Sequence, residues 1–311
     1  MSTSTAPIAL TGATGFLGGH IASALLAAGL PLRAVVRNPQ RATYLADLGA
    51  EVVQADLTDV DALNDALSGA QALISKASLG SWAGTEADYE RVNVAGIDNL
   101  LSTAESSGIR RVVMISTVAV YRTQLNRTMA EDAPRYDVER RRFNWSDATT
   151  DWRYARSKTR AEAVARSYDL DLTILRPGPI YGSRDPKLTA RYLKASLRRL
   201  VVAPTVGVPQ VHAADVALAT VAALQRPESI GKAYNITAPP TSPYAVQRTL
   251  QRLRREGNEG RRSGWVVPLP LPVFVSYDIS AAARDLGFAP RSLRAGLREV
   301  LAVEQSDRRA R

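Results

Sequence analysis

Tyr154 and Lys158 stand four residues apart in Trp152-Arg153-Tyr154-Ala155-Arg156-Ser157-Lys158. On a helix that spacing puts a phenol and an ammonium on one face. A phenol with a pKa of about 10 exchanges protons poorly at neutral pH unless a nearby cation stabilises its anion. Lys158 can supply that cation, joined by the positive nicotinamide of an oxidised cofactor. Upstream, Ser116-Thr117 directly follow the apolar run Val112-Val113-Met114-Ile115, and the Thr117 hydroxyl can donate a hydrogen bond to a substrate carbonyl. A Tyr/Lys pair alone is usually surface decoration, so its meaning depends on the parts around it.

The first of those parts is Thr11-Gly12-Ala13-Thr14-Gly15-Phe16-Leu17-Gly18, set between the apolar run Ile8-Ala9-Leu10 and a helical pattern at 20–28. In such a turn Gly12 permits the tight bend, Gly15 lets a pyrophosphate reach the backbone, and Gly18 lets helix and strand pack closely. The helix N-terminus then offers N–H groups and partial positive charge to the phosphates. The bland alternative is an ordinary strand–helix turn; placement on the first strand of a βαβ series favours the cofactor. The second strand ends in Arg33-Ala34-Val35-Val36-Arg37-Asn38-Pro39, without an acid to hold an NAD ribose. Arg37 is either a solvated arginine or the partner of a 2′-phosphate, and the expected cofactor is NADP(H) rather than NAD(H). Asp56-Leu57 close the third strand, where Asp56 either meets the adenine edge or caps a helix starting near Asp59.

These groups need a scaffold, and the chain order supplies one. Short β-rich runs at 8–10, 32–36, 51–54, 72–74, 111–115 and 172–175 alternate with helical patterns at 20–28, 41–48, 60–67, 93–106 and 154–167. Strict alternation implies right-handed crossovers, and hence a doubly wound parallel α/β sheet covered on both faces. Beyond residue 180, Pro204, Pro209, Pro239, Pro240 and Pro243 break the rhythm. A helix at 213–224 and a strand at 233–236 return to the sheet, and a helix at 292–301 ends the pattern. The expected organisation is a core of 1–182 completed by 212–237, with a small C-terminal lobe from 183–211 and 238–311.

Composition removes several alternatives. The 311 residues are 45% hydrophobic, too apolar for disorder. There is no cysteine, so disulfides and thiolate chemistry are excluded, and two distant histidines, His20 and His212, make a metal site unexpected. The net charge of +10 is uneven: residues 1–120 carry −4 and the remainder +14. The basic residues are dispersed, 35 of the 40 are Arg, and no nucleic-acid motif accompanies them. A solvated surface is the expected reading, with no nucleic-acid partner. No signal peptide opens the sequence. The apolar stretch 265–275 is about half the ~20 residues of a spanning helix and is interrupted by prolines. The expectation is a soluble, cytoplasmic chain without membrane contact.

Taken in order, these motifs resemble the extended short-chain dehydrogenases/reductases, the group of NAD(P)-dependent epimerases, dehydratases and dihydroflavonol-reductase-like enzymes. The resemblance covers nearly the whole chain: Thr11–Gly18; Asn93-Val94-Ala95-Gly96-Ile97-Asp98-Asn99-Leu100; the segment 116–121; Leu175-Arg176-Pro177-Gly178-Pro179-Ile180-Tyr181-Gly182; His212–Ala217; and 277–288. It implies a Rossmann-type core and a catalytic set of Thr117, Tyr154 and Lys158. The implied cofactor contacts are Gly12, Thr14, Gly15, Phe16, Leu17, Arg37, Asp56, Leu57, Ala77, Ser78, Asn93, Ser116, Tyr154, Lys158, Pro177, Gly178 and Ile180. Asn93 would brace the site, and Lys158 would bind the nicotinamide ribose while lowering the Tyr154 pKa. A homodimer is implied too, formed through the helices 93–106 and 154–167.

Three departures shape the expectation. Lys76 stands in Ile74-Ser75-Lys76-Ala77-Ser78 where the family often ends an apolar run in alanines; it touches cofactor or substrate, or exits to solvent, the last being the plainer reading. Val118-Ala119 replace the Asp-Glu pair of sugar-nucleotide dehydratases. The segment 207–211 lacks an arginine common in nucleotide-sugar enzymes. An NADP(H)-dependent carbonyl reductase or alcohol dehydrogenase acting on a small organic substrate is therefore preferred. An epimerase or dehydratase of sugars is the alternative, and a non-catalytic NADP-binding regulatory module the third reading. The substrate loops, 79–84, 117–122, 181–207 and 265–275, hint at a hydrophobic ligand through the apolar stretches 200–202 and 266–275.

Overall fold

A computed structural model of the chain describes residues 6–136, 151–257 and 264–309. Seven strands form one parallel sheet: β1 (Ile8–Thr11), β2 (Leu32–Val36), β3 (Glu51–Gln54), β4 (Ala72–Ser75), β5 (Arg111–Ile115), β6 (Asp171–Pro177) and β7 (Ala233–Ile236). Their order is β7-β6-β5-β4-β1-β2-β3. The chain winds outward from β1 in both directions, so a crevice opens where β1 and β4 end. The helices are α1 (Phe16–Ala27), α2 (Thr43–Asp47), α3 (Val60–Leu67), α4 (Glu86–Tyr89), α5 (Gly96–Ser106), α6 (Trp152–Ala165), α7 (Leu188–Ser196), α8 (Ala213–Gln225), α9 (Pro243–Glu256), α10 (Ser280–Leu286) and α11 (Leu293–Arg309).

Successive strand residues point to opposite faces, and here both faces are covered. Val113 and Ile115 join a core with Ile21 and Leu25 of α1, Val216 of α8 and Leu286 of α10. Val112 and Met114 join the opposite core with Leu63 of α3, Leu100 of α5 and Ala161 of α6. A third, smaller core gathers Tyr192 of α7, Val246 and Leu250 of α9, and Leu297 of α11. Beside it the strands Leu200–Pro204 and Trp265–Leu269 pair in parallel. No helix among the described residues is long and apolar enough to cross a membrane.

Several boundaries differ from the sequence expectation, each for a local reason. Helix α6 begins two residues early because the Asp151 carboxylate accepts from the Arg153 N–H at 3.1 Å. The helix expected from 93 starts at Glu86, capped by the reciprocal Thr85–Asp88 box. It passes through a π-helical stretch, Glu90–Ala95, before α5. Helix α11 continues to Arg309 rather than ending at 301. On the two helices from which a homodimer is expected, Ile97, Leu100, Leu101, Ala155, Ala161 and Ala165 are buried within this chain, while Val164 is half-buried. The outer side of α6 instead carries the ion pairs Arg156–Glu86 at 2.5 Å and Arg160–Glu90 at 2.6 Å.

Helix α6 is tied to the sheet by a buried ion pair. Arg176 of β6 holds Glu162 through two hydrogen bonds, Nε–Oε1 at 2.9 Å and Nη2–Oε2 at 2.6 Å, with both side chains wholly inaccessible. Fork geometry of this kind is strong and directional. Removing one partner strands the other charge in the interior, which costs about 3–5 kcal/mol. Glu162→Ala is expected to lower stability by about that amount, read as a reduced urea midpoint. A loss under ~1 kcal/mol would place the pair among the weak surface-type bridges.

Candidate active site

The glycine turn closes as its residue types require. Gly12 has a φ of +70°, in the left-handed region that glycine tolerates. A Cβ on Gly18 would stand 2.0 Å from the Gly12 carbonyl oxygen, so only glycine allows α1 to start this close to the turn. The N-cap of α1 is Gly15, which brings no side-chain acceptor to the first-turn N–H groups. Thr11 Oγ1 accepts from the N–H groups of Lys76 at 3.0 Å and Ala77 at 3.1 Å, joining the end of β1 to the segment after β4.

Between these segments lies a cleft of about 490 Å³. It brings together Gly12, Thr14, Gly15, Arg37, Asp56, Leu57, Ala77 and Ser78 of the expected cofactor set. Phe16 and Leu17 begin α1 beside it. Asp59, not Asp56, caps α3, accepting from the Ala62 N–H at 3.0 Å. Asp56 accepts from the Thr58 N–H and hydroxyl, at 2.9 and 2.7 Å, and lies 3.9 Å from Arg37. Burial opposes its charge, but these contacts hold its pKa below the ordinary value. Arg41 and Arg91 also border the cleft, and neither stood out in the sequence. An uncapped helix start, an open glycine turn and cationic walls fit a dinucleotide.

The remaining expected residues do not border that cavity: Asn93, Ser116, Tyr154, Lys158, Pro177, Gly178 and Ile180 lie outside its lining. The Thr117 side chain lies close enough to the Tyr154 hydroxyl to lower its pKa, but burial outweighs it and pushes that pKa up to about 12. Lys158 Nζ donates to the Ile115 carbonyl at 2.9 Å, and its charge is not among the causes of the Tyr154 shift. Burial lowers the Lys158 pKa to about 8, with Glu162 opposing and Lys76 adding to the shift. Thus the cation lies under the end of β5, and Tyr154 is a neutral phenol.

Asn93 is wholly buried and braces two segments: its amide donates to Leu79 O and Ser157 Oγ and accepts from the Leu79 N–H at 2.7 Å. The Ser116 hydroxyl is committed to Glu162, to which it donates at 2.6 Å. Gly178 donates its N–H to Ile236 at 3.1 Å, and Ile180 pairs with Val211 in a short parallel ladder, holding the loop that Pro177 begins. Sequence reading missed Glu162, although Tyr154, Lys158 and Glu162 recur every four residues on one helix face. It also missed Tyr89, whose ring lies 6.2 Å from that of Tyr154. Lys76 does not exit to solvent: its side chain enters the cleft, where Nζ would stand 2.9 Å from a Cβ on Gly15.

Residues 12–227 match the family model described as NAD(P)H-binding. The chain is 29% identical over 189 residues to the 4-hydroxy-2-methyl-3-oxo-4-farnesyl-3,4-dihydroquinoline-1-oxide ketoreductase of Stigmatella aurantiaca, covering 60% of this chain and 54% of that protein. It is 30% identical over 222 residues to the ceramide reductase of Caulobacter vibrioides, covering 71% and 61%. The chain thus spans less than two thirds of the length of these relatives. In fold it is similar to the UDP-glucose-4-epimerase of Stenotrophomonas maltophila, solved with bound NAD, at a TM-score of 0.80 and 21% identity, covering 98% of this chain and 100% of that one. A matched glycine turn, a switch-point cleft and this sheet order have one meaning together: the chain belongs to the NAD(P)H-binding family, among the extended short-chain dehydrogenases/reductases.

Proposed function

We propose that the protein is an NADP(H)-dependent oxidoreductase that interconverts a carbonyl and an alcohol on a small, hydrophobic organic substrate. The observation that carries this reading is the meeting of the Thr117 and Tyr154 hydroxyls past the end of β5. Two hydroxyls converging on one point can both hydrogen-bond a carbonyl oxygen. A neutral phenol is the right form to give that oxygen a proton. A bound reduced nicotinamide supplies the hydride. Thr117 holds the oxygen, Tyr154 protonates it, and Lys158 stands beneath as a cation for the phenolate left behind.

Arg37, Asn38 and Arg41 at the adenine end of the cleft, with no acid after β2, support a 2′-phosphate. Val118 and Ala119, buried and apolar, occupy the two positions after Thr117. That supports carbonyl reduction over water elimination, for which no carboxylate stands there. The ketoreductase and ceramide reductase relatives support a ketone on a lipophilic frame. The exposed Leu200, Val202 and Trp265 side chains support it too. The lobe built from 183–211 and 238–311 is the substrate-binding part in this reading. A homodimer rests on the family pattern, and a monomeric mass by light scattering at micromolar concentration would refute it.

Positioned acid catalysis is worth about 10²–10⁴-fold in rate. Tyr154→Phe is expected to lose turnover on that scale in assays of NADPH consumption with ketone substrates, while its NADPH affinity stays near that of the unmutated protein. Unchanged turnover would move the acid elsewhere. Fluorescence titration is expected to show tighter binding of NADPH than NADH, and the reverse order would sink the Arg37 assignment.

Lys158 adds a pH signature. Its pKa is about 8 in the fold and 10.5 when exposed. Between those values the unfolded chain binds more protons, so this group makes stability rise with pH. Lys158→Met should therefore gain stability relative to the unmutated chain near pH 7, and that gain should shrink towards pH 10. Denaturation at both pH values checks it, and a constant difference would refute the lowered pKa.

A further inference from the structure

Lys76 is a half-buried cation with no counter-ion among the described residues. Among the described residues no hydrogen bond or ion pair involves its Nζ, and burial, with no carboxylate opposing it, lowers its pKa below the ordinary amine value. The side chain does not escape along the cleft wall. Its Cδ would lie 3.2 Å from a Cβ on Gly12, and its Nζ 2.9 Å from one on Gly15. The ammonium therefore lies across the glycine turn, at the start of α1.

That start is itself short of an acceptor. Gly15 caps it without a side chain, and the first turn of α1 contains no acidic residue. The 12-residue helix adds the partial positive charge of its macrodipole at the same point. Lys158 faces the same region closely enough for its charge and that of Lys76 to repel. Like charges gathered in a partly desolvated cleft are unfavourable, and a bound anion would relieve both.

We propose that Lys76 is a cofactor-binding residue whose ammonium, together with the N-terminus of α1, holds the diphosphate of the dinucleotide. The inference rests on the dinucleotide reading of the cleft and adds a residue to it. Glycine turns usually bind the diphosphate through backbone N–H groups and a helix start alone. Here a point charge supplements them. Its backbone is fixed for this purpose by Thr11, which accepts from the Lys76 N–H. Its reach is fixed by the absence of side chains at Gly12 and Gly15.

The test compares the unmutated chain with Lys76→Met, using NADPH and adenosine 2′-monophosphate as probes in calorimetric titrations. Adenosine 2′-monophosphate has the 2′-phosphate and adenine but no diphosphate. Charge-assisted hydrogen bonds of this kind correspond to about 10–100-fold in affinity. Lys76→Met is expected to weaken NADPH by that factor and leave adenosine 2′-monophosphate unchanged. NADPH binding within twofold of the unmutated value would overturn the inference while leaving the dinucleotide reading intact. Equal loss of both probes would also overturn it, because Lys76 would then be a structural prop. No NADPH or NADH binding by the unmutated chain would remove the reading and the inference together. Should the variant not fold, inorganic pyrophosphate on the unmutated chain decides. It should displace NADPH but not adenosine 2′-monophosphate, and failure to displace NADPH would overturn the inference.

Discussion

The arrangement depends on one buried contact, the fork between Arg176 and Glu162. Helix α6 carries Tyr154, Lys158 and Glu162 on one face, and the last of these is fixed to the sheet by a bidentate ion pair. A polar network surrounds it. Ser116 donates to Glu162, Arg176 donates to the Tyr121 hydroxyl at 2.7 Å, and that hydroxyl donates to Asn235 of β7 at 2.7 Å. Burial works against Glu162 as an anion, but Arg176 and Ser116 keep its pKa below the ordinary value. The network thus sets the register of α6 against the ends of β5, β6 and β7. That register decides where the Tyr154 hydroxyl falls relative to Thr117.

A second set of contacts fixes the other end of the helix. Asp151 caps α6 and also accepts from the Tyr89 hydroxyl at 3.3 Å. The same hydroxyl donates to Gly80 O at 2.8 Å and accepts from the Ala83 N–H at 3.1 Å. The loop after β4 is therefore strapped to the start of α6 through one phenol. Asn93 repeats the strap from the π-helical stretch, reaching Leu79 and Ser157. A π-helical turn shifts the angular position of the residues it contains, and such turns recur at functional sites. Here the shift accompanies a wholly buried amide whose three hydrogen bonds all serve the cleft rim.

The sheet was legible because parallel strands buried on both faces must be short apolar runs, and βαβ alternation leaves few topologies. The glycine turn was legible for a similar reason: a positive φ favours glycine at position 12, and a 2.0 Å approach admits no Cβ at position 18. Less legible were features set by distant partners. Ser116 and Glu162 are 46 residues apart and Leu200 and Trp265 are 65, so neither pairing has a local pattern. Apolar residues on α5 and α6 suit the core and a subunit seam equally well, because composition cannot say which face a sheet covers. Lys76 was misplaced for the same kind of reason. Lysine prefers solvent on average, and only the missing side chains at Gly12 and Gly15 open an inward path.

The electrostatic character of the cleft is likewise local. A net charge of +10 invites a reading of the whole surface, yet residues 1–120, which contribute most of the cleft, carry −4. Within that acidic half, Arg37, Lys76 and Arg91 line the cavity, and only Asp56 and Asp88 among its walls are acidic. Asp88 is engaged by Thr85 and Arg91, at 2.7 and 3.0 Å, and Asp56 by Thr58. The acids are thereby engaged by neighbours, while the cation nearest the glycine turn has no such partner among the described residues. Selectivity for a polyanionic cofactor then follows from which charges are left unpaired, not from the total. The same logic runs on to the end of β5, where Lys158 is held by a neutral carbonyl with Glu162 beyond it. The charges of Lys76 and Lys158 are close enough to repel, and a negatively charged ligand beside them would relieve that repulsion.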